Sequence, residues 1–269
     1  MTKKEKFDTL TDRGHCRYIK NQEYETFYKS RTIPFGTMAE LGTVEKDASS
    51  HFGKFDDNPI PFQGYEFLNY VIDNYKFNTV LDVGAGECKQ VNYLDERGKN
   101  AYALDLNISN AVHCSTRTKK YCYVGRFEDM KFKRKFDMTM CTHVLEHQLN
   151  VNSFLRKMSS VTRHNGYIYI VVPPRKPFIT GGHYTMWNAG LVLYNLVMAG
   201  VDCSKECVIK QIDYDIGVFV KNSKFNIDSI DLHHDRNDIE HKLKRYFPKE
   251  LNITEPFNGD IMEFNWNQL

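Results

Sequence analysis

The sequence predicts an α/β protein, built on a doubly wound, mostly parallel sheet with helices on both faces. Helical and strand segments alternate from residue 64 to residue 200, as parallel sheets require. Residues 168–172 are apolar throughout, which is typical of a strand that is covered on both sides. The stretch VLDVGAGECKQ, residues 80–90, joins a strand to a helix through Gly84-Ala85-Gly86. Such a turn is typical of a site for a nucleotide-like cofactor.

The elements follow from periodicity and from turn residues. Apolar residues recur at helical spacing over residues 64–75, and further helices are expected after Glu87, over 151–162 and near 187–199. Strands are predicted at 79–83, 101–104, 121–124, 136–141, 167–172, 207–212 and 216–220. The turn over residues 163–166 should end the 151–162 helix. The last two strands flank residues 213–215, which predicts a hairpin that closes one edge of the sheet.

Three regions are expected along the chain. Residues 1–60 are polar with interleaved aromatics and predict an N-terminal cap on the substrate side. Residues 61–221 carry the alternating pattern and form the main domain. Residues 222–269 are again polar and predict a C-terminal extension packed on that domain, with one helical segment over 237–246.

Composition limits the function classes. The net charge of +2, without a basic stripe, argues against a nucleic-acid partner. The seven cysteines include no CxxC pair and favour reduced thiols, as in a cytoplasmic protein. The N-terminus is rich in Lys and lacks the apolar core of a signal peptide. The most apolar stretch, residues 189–200, is too short to span a bilayer, so no transmembrane segment and a cytoplasmic location are expected.

Two features of the glycine turn indicate the kind of cofactor. The dinucleotide pattern G-x-G-x-x-G needs a third glycine where this chain has Lys89, which disfavours a nicotinamide dinucleotide. Asp105 ends the next strand, about 20 residues beyond the turn, where a carboxylate can accept both hydroxyls of a ribose. The alternative for Asp105 is a helix N-cap.

Four segments, in this order, resemble the motifs of class I S-adenosylmethionine-dependent methyltransferases. They are VLDVGAGE (80–87), ALDLN (103–107), FDMTMCTHVLEH (136–147) and NGYIYIVVPP (165–174). The resemblance implies methyltransferase activity, S-adenosylmethionine as cofactor, and a Rossmann-like seven-stranded sheet whose last strand is antiparallel.

The same resemblance implies a set of cofactor-binding residues, namely Asp82, Gly84, Ala85, Gly86, Asp105, Leu106, Phe127 and Cys141. Those at the glycine turn would surround the methionine end of the cofactor and Asp105 would hold the ribose. Leu106 and Phe127 would flank the adenine. Many relatives place an Asp before that phenylalanine, where this chain has Arg126, so the contact to the adenine amino group is not implied.

Catalytic candidates should lie where the 136–141 and 167–172 strands end. A hydroxyl acceptor must lose a proton, so His143 and then His183 are the candidate bases. His147 is expected to brace loops. Tyr184 and Trp187 either stack on a sugar ring or belong to the core.

A metal is the weaker alternative at this end of the sheet. HVLEH matches the inverted zinc-protease pattern H-x-x-E-H, but its first histidine directly follows a strand, so a protease is not expected. Some related O-methyltransferases bind a divalent ion in this segment, and His143, Glu146 and His147 are the candidate ligands. The expectation is that no divalent metal is needed.

The acceptor is indicated by two further stretches. Residues 181–203 and 257–266 resemble bacterial methyltransferases that are associated with surface-polysaccharide gene clusters. The resemblance implies O-methylation of a hydroxyl, or of an attached phosphate group, on a sugar nucleotide or glycan precursor. The alternatives are a small-metabolite O- or N-methyltransferase and a non-catalytic methyltransferase-like interaction protein.

Overall fold

The computed structural model describes residues 17–19, 62–107, 110, 122–233, 238–254 and 256–266. Its nine strands form one sheet in the order β1-β4-β3-β2-β5-β6-β8-β7-β9. The strands are β1 Arg17–Ile19, β2 Thr79–Val83, β3 Asn100–Asp105, β4 Cys122–Val124, β5 Phe136–Thr142, β6 Thr162–Val172, β7 Cys207–Ile212, β8 Asp215–Lys221 and β9 Glu263–Phe264. The predicted N-terminal cap falls outside the described residues, except for β1.

The doubly wound architecture is confirmed. Strands β2 to β6 are parallel, and β8 lies antiparallel between β6 and β7. The four α-helices of the described residues are α1 Tyr65–Asn74, α2 Lys89–Glu96, α3 Val151–Val161 and α4 Ala189–Met198. Buried residues of α1 and α2 share one hydrophobic cluster with the sheet, and those of α3 and α4 share the other. The seven predicted strands correspond to β2–β8, which are adjacent to one another in this sheet.

The two sheet edges differ from the expected seven-stranded sheet. Strand β1 pairs antiparallel with β4, and β9 pairs antiparallel with Ile209 and Lys210 of β7. The β7–β8 hairpin is present but does not form the edge, because β9 covers it. A strand of two or three residues is long enough to pair with an edge strand and cover it. So short a strand shows no alternation of apolar and polar residues, and the sequence therefore did not indicate β1 or β9.

The predicted turn over residues 163–166 is a bulge within β6. Phe136 of β5 pairs with Thr162, and Met138 pairs with Tyr167, so residues 163–166 oppose a single residue of β5. Asn222 is fully buried, and its amide donates to the carbonyls of Ser159, Thr162 and Arg163. These bonds hold the bulge against the end of α3.

Three further local predictions are corrected. Helix α4 begins at Ala189 rather than near Trp187, because the Asn188 side chain accepts the backbone N–H of Leu191 and caps the helix there. The helical segment predicted over 237–246 consists of a π-helical turn, Asp238–Leu243, and a 3-10 turn, Lys244–Tyr246. Cys88 is disulfide-bonded, whereas reduced thiols were expected. No helix within the described residues is long and apolar enough to cross a membrane.

We predict that Asn222→Ala lowers the free energy of unfolding by about 2–3 kcal/mol, because buried carbonyls lose their donors. Chemical denaturation measures this. Asn195→Ala is the matched control, because the Asn195 amide makes one exposed bond to the Leu191 carbonyl. An equal loss in the two variants would contradict a structural role for the buried amide.

Candidate active site

The glycine turn after β2 lies directly against the segment that follows β5. Gly84 has φ 77°, a conformation that side chains disfavour. A Cβ at this position would lie 2.4 Å from Cγ2 of Val144. Only glycine permits this approach, which brings the end of β2 against the loop that carries residues 143–147.

Asp105 braces the same turn from the end of β3. Its Oδ2 accepts the backbone N–H of Gly86 at 2.9 Å, and its Oδ1 accepts that of Asn107 at 2.7 Å. The residue is 9% exposed. The carboxylate is therefore fixed at the rim of the turn, in the position where a ribose contact is expected.

Asp82 lies beneath the turn and carries a destabilised charge. It is 2% exposed, and its Oδ2 has no hydrogen-bond partner within the part of the chain that the structure describes. Burial, together with the negative charge of Asp105, raises the pKa of Asp82 to about 7. A cationic group bound at the turn would stabilise the ionised form.

The remaining predicted cofactor residues differ widely in exposure. Leu106 is 69% exposed at the rim, whereas Phe127 is buried against the ring of Phe154. Cys141 is buried, with its Sγ 4.0 Å from Sδ of Met158. Contacts of these residues with an adenine or a methionine chain stay predictions.

His143 lies between two carboxylates at the end of β5. Its Nε2 is 2.6 Å from Oδ1 of Asp215, and its Nδ1 is 3.5 Å from Oε1 of Glu146. Burial lowers the pKa of His143, but the hydrogen bond to Asp215 and the negative charge of nearby Glu146 outweigh it and raise the pKa to about 9. Its φ of 54° is strained for a histidine. Both ring nitrogens are thus committed to carboxylates.

Asp215 is the site residue that sequence reasoning missed. It begins β8, and its second oxygen accepts the backbone N–H of Gly64 at 2.7 Å. The chain separates it from His143 by 72 residues. In the sequence it reads as part of a hairpin connection, and no local pattern links it to the histidine.

A second histidine cluster forms around Glu146. Each ligand atom of Glu146, His147 and His183 lies within 4.8 Å of the others. The rings of His147 and His183 meet edge to face, with their centroids 4.9 Å apart. The sequence favours no metal, and the weaker alternative of a metal site has His143 in place of His183. In the structure, His143 also faces Glu146, but its other nitrogen is turned to Asp215.

The loop that carries His183 is tied to the 3-10 turn Leu145–His147. The backbone N–H groups of Tyr184 and Thr185 donate to the carbonyl of Glu146, at 2.8 and 3.3 Å. Burial lowers the pKa of His183 from its usual value. Unlike His143, this histidine makes no hydrogen bond to a carboxylate in the described part of the chain.

The two predicted acceptor aromatics have different environments. Tyr184 is 63% exposed, and it lines a cavity of about 90 Å³ together with Lys176, His183 and Tyr214. Trp187 is 2% exposed and belongs to the core, which was the alternative left open for it. Its Nε1 has no hydrogen-bond partner among the described residues.

Comparison with known proteins gives a domain match and structural similarities. Residues 81–170 match the family described as a methyltransferase domain. The chain is similar to the 1,6-didemethyltoxoflavin-N1-methyltransferase of Burkholderia thailandensis, with 15% identity over 72% of this chain and 94% of that one and a TM-score of 0.53. It is also similar to the N-methyltransferase NodS of Bradyrhizobium japonicum WM9, with 16% identity, coverage of 63% and 99% and a TM-score of 0.51. A SAM dependent methyltransferase of Aquifex aeolicus shows 17% identity, coverage of 65% and 97% and a TM-score of 0.50.

No curated protein matches the chain in sequence. The structural similarities establish the shared Rossmann-like fold. The domain match spans the glycine turn, Asp105 and residues 143–147, but it ends before His183 and Asp215.

We predict that Asp105→Ala weakens binding of S-adenosylmethionine by about 1.5–3 kcal/mol, because charged hydrogen bonds are lost. Calorimetry measures this, with Asp228→Ala as the control, since Asp228 is exposed and paired with Arg156. NAD should not bind. Unchanged affinity in the Asp105 variant would show that this carboxylate does not hold the ribose.

We also predict that the affinity for S-adenosylmethionine increases with pH up to about pH 7 and then levels off. A cationic ligand binds best when Asp82 is ionised. At a pH below the raised pKa of Asp82, the carboxyl must lose its proton before the ligand binds, so the affinity falls by up to about tenfold for each pH unit. Calorimetry at pH 6, 7 and 8 should show this dependence for the native chain but not for Asp82→Asn. S-adenosylhomocysteine, which lacks the sulfonium charge, should show a weaker one. An equal slope in the native chain and the variant would refute the coupling.

Proposed function

We propose that this chain, in which residues 81–170 match a methyltransferase domain, is a class I S-adenosylmethionine-dependent methyltransferase that methylates a sugar or glycan precursor during the synthesis of a surface polysaccharide. The acceptor atom is a hydroxyl oxygen, or an oxygen of an attached phosphate group. The intact Gly84, Gly86 and Asp105 support an active enzyme over a non-catalytic interaction protein, because a scaffold has no need of a functional cofactor turn.

The observation that carries the proposal is the contact between Gly84 and Val144. Val144 directly precedes residues 145–147, so this contact supports a cofactor turn that lies close to the cluster of Glu146, His147 and His183. A methyl donor in the turn and an acceptor at the cluster would meet at the carboxyl end of the parallel strands. Alignment of this kind supplies much of the rate of a displacement reaction.

The reaction needs two things from the chain. In the displacement, the acceptor oxygen forms a bond to the methyl carbon while the carbon–sulfur bond breaks, and the electron pair stays on sulfur. A hydroxyl acceptor also loses its proton. We assign proton removal to the cluster of Glu146, His147 and His183, because both nitrogens of His143 already face Asp215 and Glu146. His143 is then a positioning residue that connects the loop after β5 to the start of β8.

The cavity next to the cluster supports a sugar-bearing acceptor. Tyr184 presents an exposed ring on which a sugar can stack. The Lys176 ammonium lies 4.2 Å from the centroid of the Tyr214 ring, and it can bind a phosphate at the same mouth. An aromatic face beside one cation suits a nucleotide-activated or phosphorylated sugar.

We predict that His183→Ala lowers turnover about 10²–10⁴-fold, because the proton of the acceptor hydroxyl is no longer removed. The affinity for S-adenosylmethionine should stay near that of the native chain. The measurement is methyl transfer from labelled S-adenosylmethionine to a panel of nucleotide sugars and sugar phosphates, with the product located by mass spectrometry. His164→Ala is the control, because His164 is exposed in the β6 bulge.

Tyr184→Ala and Lys176→Ala test the acceptor assignment in the same assay. They should raise KM for a sugar acceptor more than they lower kcat. Transfer to small metabolites but to no sugar in the panel would refute the acceptor. Full activity of His183→Ala would instead remove the cluster from proton transfer.

A further inference from the structure

Glu146 is a buried carboxylate that faces the His143 ring but lacks a strong hydrogen bond among the described residues. It is 1% exposed, and neither of its oxygens accepts a hydrogen bond among the described residues. The nearest cationic side chain is that of His143, whose Nδ1 is 3.5 Å from Oε1, a distance too long for a strong hydrogen bond. Burying such a group is costly unless it is paired or coordinates a metal.

His147 is held by a backbone carbonyl, with its other ring nitrogen near this carboxylate. Its Nδ1 is 2.7 Å from the carbonyl oxygen of Gly182, which can only accept a hydrogen bond, so Nδ1 carries the proton. In the neutral ring Nε2 then carries the lone pair, and this atom lies 3.8 Å from Oε1 of Glu146. A backbone carbonyl on the second nitrogen is the usual support of a metal-binding histidine.

His183 completes the group from a loop that is held in place. The ligand atoms of the three residues all lie within 4.8 Å of one another. Two ligands of a tetrahedral zinc ion are about 3.4 Å apart, given bonds of about 2.0–2.1 Å. Small rotations of half-exposed His147 and His183 would close the remaining difference. Both side chains reach solvent, which leaves a coordination position open on the acceptor side.

We infer that Glu146, His147 and His183 bind one divalent first-row transition-metal cation, with zinc as the best match. Two imidazoles and one carboxylate suit zinc, whereas magnesium prefers an all-oxygen shell. His143, held by Asp215, lies 3.5 Å from the same Oε1 of Glu146 that His147 faces, and it orients the carboxylate. The sequence favoured no metal, and its weaker alternative used His143 as a ligand instead of His183.

The cation also deepens the proposed function, on which this consequence rests. An acceptor hydroxyl bound at the open position would lose its proton to solvent water more readily, because the cation stabilises the resulting alkoxide. His183 then contributes to proton removal as a ligand of the cation.

The test is direct binding to a tag-free chain from which metal has been stripped by a chelator. Calorimetry with zinc chloride should show one site per chain, with weaker binding of manganese and much weaker binding of magnesium. Glu146→Gln and His183→Ala should each weaken zinc binding by at least about 10–100-fold, the loss seen when even an outer partner of a ligand is removed. His164→Ala should bind as the native chain does.

Thermal unfolding provides a second readout that does not require activity. Zinc should raise the Tm of the native chain and of His164→Ala, but not that of His183→Ala, whose half-exposed side chain can be removed without loss of the fold. Failure of the native chain to bind zinc, or equal affinity in His183→Ala, overturns the cation site. Methyl transfer to sugars by a chain that binds no zinc would leave the proposed function standing. Zinc binding without transfer to any sugar would support the site and reject that function.

Discussion

The missing side chain at Gly84 is the constraint on which the rest of the site depends. With φ 77° and Val144 where a Cβ would lie, no other residue lets the end of β2 approach the loop after β5 so closely. The carboxyl ends of parallel strands all lie on the same side of the sheet, but the loops that follow the strands are separated by gaps. Because Gly84 has no side chain, the backbone closes one such gap here. The cofactor turn therefore lies next to the loop that leads to the histidine cluster.

Several carboxylates lie at the carboxyl end of the parallel strands, and His143 faces only two of them, Asp215 and Glu146. Asp82 and Glu146 are almost fully buried, and each has at least one oxygen that accepts no hydrogen bond from a described residue. Both oxygens of Asp105 accept backbone N–H groups. Unpaired buried carboxylates destabilise a folded chain. Cationic ligands would offset that cost, a sulfonium near Asp82 and a metal ion near Glu146. Stability and ligand binding are therefore coupled at the same residues.

The sequence predicted most of the sheet and little of the histidine geometry, for one reason. Buried parallel strands have continuous apolar runs, so segments such as 167–172 were recognisable locally. His143 and Asp215 are 72 residues apart in the chain, and no residue near either one in the sequence indicates that the two side chains pair. His183 was a candidate base, but only the bonds from Tyr184 and Thr185 to the Glu146 carbonyl reveal which acid it accompanies. The sequence predicts a turn at the bulge in β6, because Asn165-Gly166 is typical of turns. The same pair also occurs here inside a strand, since β6 includes these residues and runs on to Val172.

The two histidines of the HVLEH segment divide their tasks because their surroundings differ. His143 follows the strand directly and faces Asp215 across the sheet, so its ring is clamped and its φ is strained. His147 lies one 3-10 turn later, where its Nδ1 meets the Gly182 carbonyl and its ring reaches the surface. A clamped ring can fix the position of the Glu146 carboxylate, whereas a half-exposed ring with a defined lone pair can meet a ligand. The loop of residues 180–185 supplies both the carbonyl and His183, so changes in that loop would alter the acceptor side without disturbing the cofactor turn.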